Sequence, residues 1–86
     1  MGRRSRVPRV APRTASKTVR RLFAILRERR IAQADFAAAI DYSTPGVAYW
    51  KSGRTEPRIT DLEAALSVLG LELRIVESDE TSRIHF

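Results

Sequence analysis

Cysteine is absent from the 86 residues, and histidine occurs once, as His85. The first absence excludes disulfides and thiolate zinc sites, so the fold must hold by apolar packing alone. The second leaves neither a histidine cluster for a metal nor a Ser/His/Asp triad. Long apolar runs are missing too, and none approaches the roughly 20 residues needed to span a bilayer. A secretory leader needs an apolar stretch behind its basic start, whereas residues 7–15 (Val-Pro-Arg-Val-Ala-Pro-Arg-Thr-Ala) are interrupted by Arg and Pro. The Arg-rich start has the composition of an organellar transit segment, but Pro8 and Pro12 break the amphipathic helix that such a segment requires. Acid is absent from the first 21 residues, which hold eight basic ones: Arg3, Arg4, Arg6, Arg9, Arg13, Lys17, Arg20 and Arg21. Residues 22–86 carry eight basic against ten acidic residues, so the net charge of +6 belongs to the N-terminal segment. A surplus that large in a short chain points to a polyanionic partner.

The length admits one small domain and no second core. No pair of acid/base groups is held on rigid elements facing a pocket, so neither an enzyme nor a cofactor is expected. Residues 1–15, with two prolines, five arginines and few large apolar groups, cannot offset the entropy of ordering and are expected to form a flexible arm. From Ser16 the pattern changes. Val19, Leu22, Phe23 and Leu26 recur at i, i+3, i+4 and i+7, one face of a helix capped by Ser16 or Thr18 and ending in Arg27, Arg29 and Arg30. A second helix is predicted over Gln33–Ile40, with Phe36 and Ile40 on one face, followed by Asp41, which tolerates a left-handed turn. Ser43 or Thr44 caps a third helix with Pro45 in its first turn, burying Val47 and Trp50 and stopping before Gly53. Thr60-Asp61-Leu62-Glu63 has the form of a capping box for a fourth helix, which carries Leu62, Ala65, Leu66 and Leu69 to a stop at Gly70. Leu71, Leu73 and Ile75 then alternate with Glu72, Arg74 and Val76, the pattern of a half-buried strand. The remainder, residues 77–86, opens polar and acidic. Glu77, Asp79 and Glu80 are too local and unsupported to make a metal site.

The informative unit lies between Gln33 and Lys51. Phe36, Ala37, Ile40, Tyr42, Val47 and Trp50 are spaced as two helices crossing steeply over a short turn require, with a small residue at the crossing and apolar groups directed inward from both. Trp50 lies on the Val47 face and is expected in the core rather than as a stacking platform. Such a pair presents its second helix outward, where it fits a major groove.

Residues from about 19 to 70 resemble the lambda-repressor-like helix-turn-helix of the Xre/Cro family. The residues that carry the likeness are Gln33, Phe36-Ala37, the Trp50-Lys51-Ser52-Gly53-Arg54-Thr55-Glu56-Pro57 exit, and the Leu62, Leu66, Leu69-Gly70 helix. The resemblance implies an all-α bundle of four to five helices, with residues 16–70 as a helix-turn-helix domain that binds double-stranded DNA. It implies a phosphate contact for Gln33, base-edge or phosphate contacts for Ser43, Thr44, Pro45 and Tyr49, and a phosphate grip for Arg54. Family members often pair an Arg in helix one with a Glu at the end of helix three. Those positions here are Leu26 and Lys51, which leaves Lys51 to face phosphate. Pro45, Gly46 and Ala48 carry no side-chain donor or acceptor, so discrimination rests on Thr44, Tyr49, apolar approach to thymine methyls and DNA shape. The arm, through Arg3, Arg4, Arg6, Arg9 and Arg13, suits a narrow minor groove. A lone strand at 71–76 would leave an open edge, so Leu71, Leu73, Arg74 and Ile75 are expected to pair with a second copy in a twofold homodimer.

The expected function is a dimeric transcriptional regulator, a repressor of bacterial or phage type acting in the cytoplasm on a pseudo-palindromic operator. The alternative is an antitoxin resembling the Hip type, which would also bind a toxin protein, here through Ser82-Arg83-Ile84-His85-Phe86 as a docking peptide. An RNA-binding module would lack the aromatic platform that single-strand binders use.

Overall fold

The computed structural model describes residues 12–77. It has four helices: α1 (Lys17–Glu28), α2 (Gln33–Ala39), α3 (Thr44–Ser52) and α4 (Ile59–Val68). α3 packs against both α1 and α2. One apolar core joins them, built from Val19, Leu22, Phe23 and Leu26 of α1, Phe36 and Ala37 of α2, Val47 and Trp50 of α3, and Leu62, Ala65 and Leu66 of α4. The i, i+3, i+4, i+7 pattern of α1 is therefore the buried face. Its start is fixed by Ser16, whose Oγ accepts from the Val19 N–H at 3.1 Å.

All four helices end alike. A left-handed residue closes each one, as the cap itself in α3 and one position past the cap in the others, and the residue after it donates its N–H to a carbonyl five positions back. The donors and acceptors are Ile31 to Leu26 (2.9 Å), Tyr42 to Ala37 (2.8 Å), Arg54 to Tyr49 (3.0 Å) and Leu71 to Leu66 (2.8 Å). The left-handed residues are Arg30 (φ 59°), Asp41 (φ 61°), Gly53 (φ 83°) and Gly70 (φ 75°). Asp41, Gly53 and Gly70 are the stops that the sequence marked. Arg30 is not a residue that sequence rules place in this conformation, because its Cβ crowds the following carbonyl.

Gly53 has a second role. Arg13 and Thr14 both donate their N–H groups to the Lys51 carbonyl, at 2.9 and 3.1 Å, laying the chain across the end of α3. Thr14 is 1% exposed. Its Oγ1 accepts from the Ser16 N–H at 3.2 Å. Residues 13 and 14, which the sequence reading placed in the arm, are hydrogen-bonded to the body, because the free carbonyl at the end of α3 offers them an acceptor. A Cβ at position 53 would stand 3.1 Å from the Thr14 Cα. Gly53→Ala therefore meets both a left-handed backbone and a crowded neighbour, and we expect a loss of about 1–2 kcal/mol in urea unfolding.

The capping box does not form. α4 starts two residues earlier, at Ile59, with Arg58 rather than Thr60 in the cap position and no side-chain cap bond. The Leu62 N–H donates to the Arg58 carbonyl at 2.9 Å, which places Thr60 inside the first turn. The Asp61 carboxylate is drawn away to Tyr42, whose hydroxyl donates to Oδ2 at 2.9 Å. At the other end, Arg29 Nη1 donates to the Leu69 carbonyl at 2.8 Å and ties the end of α1 to the end of α4.

Beyond Gly70 the described residues form no strand ladder within the single chain. Leu71 and Leu73 pack on the chain's own core. Ile75 and Val76 are exposed, at 103% and 76%. Arg74 pairs with Glu72 at 2.8 Å. The alternation therefore holds for 71–74 and lapses where the core ends. Among the described residues, no helix is long and apolar enough to cross a membrane.

Candidate nucleic-acid interface

α3 divides into two faces. Val47 and Trp50 are buried, at 0% and 3% exposure. Thr44, Pro45, Tyr49 and Ser52 are exposed and Ala48 is half-buried. These five stand at i, i+1, i+4, i+5 and i+8, one continuous outward stripe on a helix. The stripe offers hydroxyl groups at Thr44 and Ser52, a phenol at Tyr49, and apolar surface at Pro45 and Ala48. Ser52 Oγ donates back to the Tyr49 carbonyl at 3.1 Å, which leaves Thr44 and Tyr49 as the outward polar groups without a backbone bond among the described residues.

The start of the helix is tightly specified. The Gly46 N–H donates to Ser43 Oγ at 3.0 Å, so Ser43 is the cap. A Cβ on Gly46 would sit 3.0 Å from that Oγ and 3.2 Å from the Tyr42 ring, which accounts for glycine there. The Tyr42 ring lies 4.8 Å from that of Trp50 at an interplanar angle of 60°. Burial pushes the Tyr42 hydroxyl above its ordinary pKa, and its bond to Asp61 adds to the rise. The hydroxyl therefore stays protonated and keeps donating, which holds the turn before α3 against the first turn of α4. At the far end, the Arg54 guanidinium stands 4.7 Å from the centre of the Tyr49 ring. Arg54 and Tyr49, assigned separately from sequence, form one stacked unit in which the ring orients the cation.

Gln33 and Lys51 also come together. Both line an open groove of about 410 Å³, with Arg27, Arg30 and Pro12 beside them and Phe23, Leu26 and Ile31 beneath. Leu26 is 2% exposed and belongs to the apolar core. Arg27 and Arg30, which sequence reasoning assigned only to the end of α1, are the cations that the structure brings beside Gln33 and Lys51. Their spacing of three residues on one helix end was the available signal. Arg13 is exposed, with its backbone bound to the end of α3. Arg3, Arg4, Arg6 and Arg9 lie outside the described residues. Leu71, Leu73, Arg74 and Ile75 belong to the segment after α4 and take no part in this surface. Among the described residues, no group of three His, Cys, Asp or Glu could hold a metal ion.

The Helix-turn-helix family model matches residues 22–76, more than half of the chain, from within α1 to the segment after α4. No curated protein and no solved structure matches the chain.

Proposed function

Because the chain belongs to the Xre/lambda-repressor-like helix-turn-helix family and is a DNA-binding regulator of that type, we propose that it acts as a dimeric repressor on a pseudo-palindromic operator. The observation that carries the reading is the two-faced α3, with Val47 and Trp50 in the core and Thr44, Pro45 and Tyr49 turned outward. Laid in a major groove, that stripe puts the Thr44 hydroxyl and the Tyr49 phenol at base edges, while Pro45 and Ala48 allow close approach to thymine methyls. Arg54, oriented by Tyr49, reaches phosphate on one side. Gln33, Lys51, Arg27 and Arg30 reach phosphate on the other. The Arg13 tether directs the arm from the end of α3, and the arginines before it follow the minor groove.

The dimer rests on residues 71–76. Beyond the Leu71 N–H, no backbone hydrogen bond is found for them among the described residues, and Ile75 and Val76 are exposed. An open edge with apolar side chains favours pairing with a second copy. Two copies related by a twofold axis would place their α3 helices about one helical turn apart, roughly 34–36 Å. Arg74→Pro removes one N–H from that edge and is expected to shift light scattering from dimer to monomer, whereas Arg74→Ala remains dimeric. A dimeric Arg74→Pro variant would exclude this segment as the interface. The tail Ser82–Phe86, on which an antitoxin role would depend, lies outside the described residues.

A further inference from the structure

The groove beside Gln33 has a feature that phosphate contact alone does not require. A phosphate takes cationic and N–H donors and makes no use of an apolar floor. Here the open apolar lining is Pro12, Ala24, Ile31 and Ala32, over the core residues Phe23 and Leu26, and the rim is Arg27, Arg30 and Lys51. No acidic residue lines it. The ion pairs found among the described residues, Arg21–Glu28 and Arg74–Glu72, engage none of the three rim cations. Its volume of about 410 Å³ falls within the range of small-molecule sites, about 300–1,000 Å³, which are commonly apolar with a few convergent polar groups.

Arg30 adds an independent observation. It occupies a left-handed position, φ 59°, that glycine fills at the ends of α3 and α4. Arginine there costs about 1–2 kcal/mol of backbone strain relative to glycine. That strain places a cation on the rim of this groove.

We propose that the groove binds an amphipathic anion, a carboxylate carried on a short alkyl chain, and that its occupancy excludes DNA phosphate from Gln33 and Lys51. The hydrocarbon lies on Ala24, Ile31 and Ala32, and the carboxylate is held by Arg27, Arg30 and Lys51. A neutral alcohol would leave three cations unanswered, and an alkylammonium would be repelled by them. Because Gln33 and Lys51 are DNA-side residues in the proposed function, the exclusion of DNA rests on that reading. The existence of the site does not.

The test uses the full chain and octanoate, with octanol and octyltrimethylammonium as controls, all below micelle formation. Amide shifts of Ala24, Ile31 and Ala32, followed without DNA, are expected to saturate with octanoate and to respond at least about tenfold more weakly to both controls. Ala24→Leu, which fills the groove from α1, is expected to abolish the octanoate response. Arg27→Gln combined with Lys51→Gln weakens the response by about tenfold or more and serves equally if Ala24→Leu fails to fold. No saturable shift in the wild type, or equal binding of the cationic control, overturns the site. In a separate arm, octanoate is expected to raise the apparent Kd for DNA in the wild type and not in Ala24→Leu. Octanoate binding without that rise overturns the exclusion. DNA affinity measured without octanoate tests the functional reading by itself, so the two failures are distinguishable.

Discussion

Trp50→Ala is expected to abolish the folded domain, whereas Tyr49→Ala, one position earlier on the same helix, leaves it standing. Trp50 is 3% exposed, lies among the core residues of all four helices, and forms the surface against which Tyr42 packs. Truncating a buried tryptophan costs about 3–5 kcal/mol, from lost transfer free energy and from the cavity left behind. A domain this small, without a disulfide, rarely holds more than about 3–5 kcal/mol in total. The variant should therefore lose its helical circular-dichroism signal at room temperature. Tyr49 is 39% exposed, and its partner is the Arg54 guanidinium. Its removal costs no more than about 1 kcal/mol, the scale of an exposed cation–π contact. Its effect should appear as weakened DNA binding. A Trp50→Ala protein that melts like the wild type would remove the basis for assigning opposite faces of α3 to core and DNA.

Deletion of residues 1–11 is expected to flatten the salt dependence of DNA binding more than any single substitution. The deleted segment carries Arg3, Arg4, Arg6 and Arg9 and no acid. If each neutralises one phosphate, the slope of log affinity against log salt falls in magnitude by roughly 3 to 4 per protomer, at about 0.9 per released counterion. The boundary follows from the structure. Arg13 and Thr14 donate to the Lys51 carbonyl, and Thr14 is buried against Gly53, so a longer deletion would remove part of the fold along with the charge. Binding isotherms between low and moderate salt give the slope directly. An unchanged slope would show that the arm makes no phosphate contact.

Much of this was legible beforehand because helix ends obey local rules. Ser16 and Ser43 are the caps their side chains suggested, and Asp41, Gly53 and Gly70 are left-handed where the chain had to turn. The buried face of α3 followed from the spacing of Val47 and Trp50, and its outward residues from the family resemblance. What escaped was set by contacts between residues far apart in the chain. Thr60 and Glu63 satisfied the pattern of a capping box, but the helix began at Ile59, which puts Thr60 inside its first turn, and Asp61 pairs with Tyr42, 19 residues away. Thr14 had no periodic pattern to mark it, and its burial depends on the end of α3. Arg30 looked like an ordinary charge at a helix end. Its left-handed backbone and its place beside Gln33 and Lys51 arise from the meeting of α1, α2 and α3. Net charge misled in the same way: residues 22–86 are slightly acidic in sum, yet Arg27, Arg30 and Lys51 gather on one groove.

In the proposed function the outward stripe of α3 reads base sequence as one half of a symmetric pair. Selection of bound DNA from a random pool, run in parallel with the wild type and with Thr44→Gln, tests it most directly. The wild type should enrich a palindrome with half-sites about one helical turn apart. Thr44→Gln should keep that symmetry and spacing while changing the preferred base at one position in each half-site, as a side chain suited to adenine would. No enrichment, or the same site from both proteins, would contradict the assignment of base reading to this face of α3.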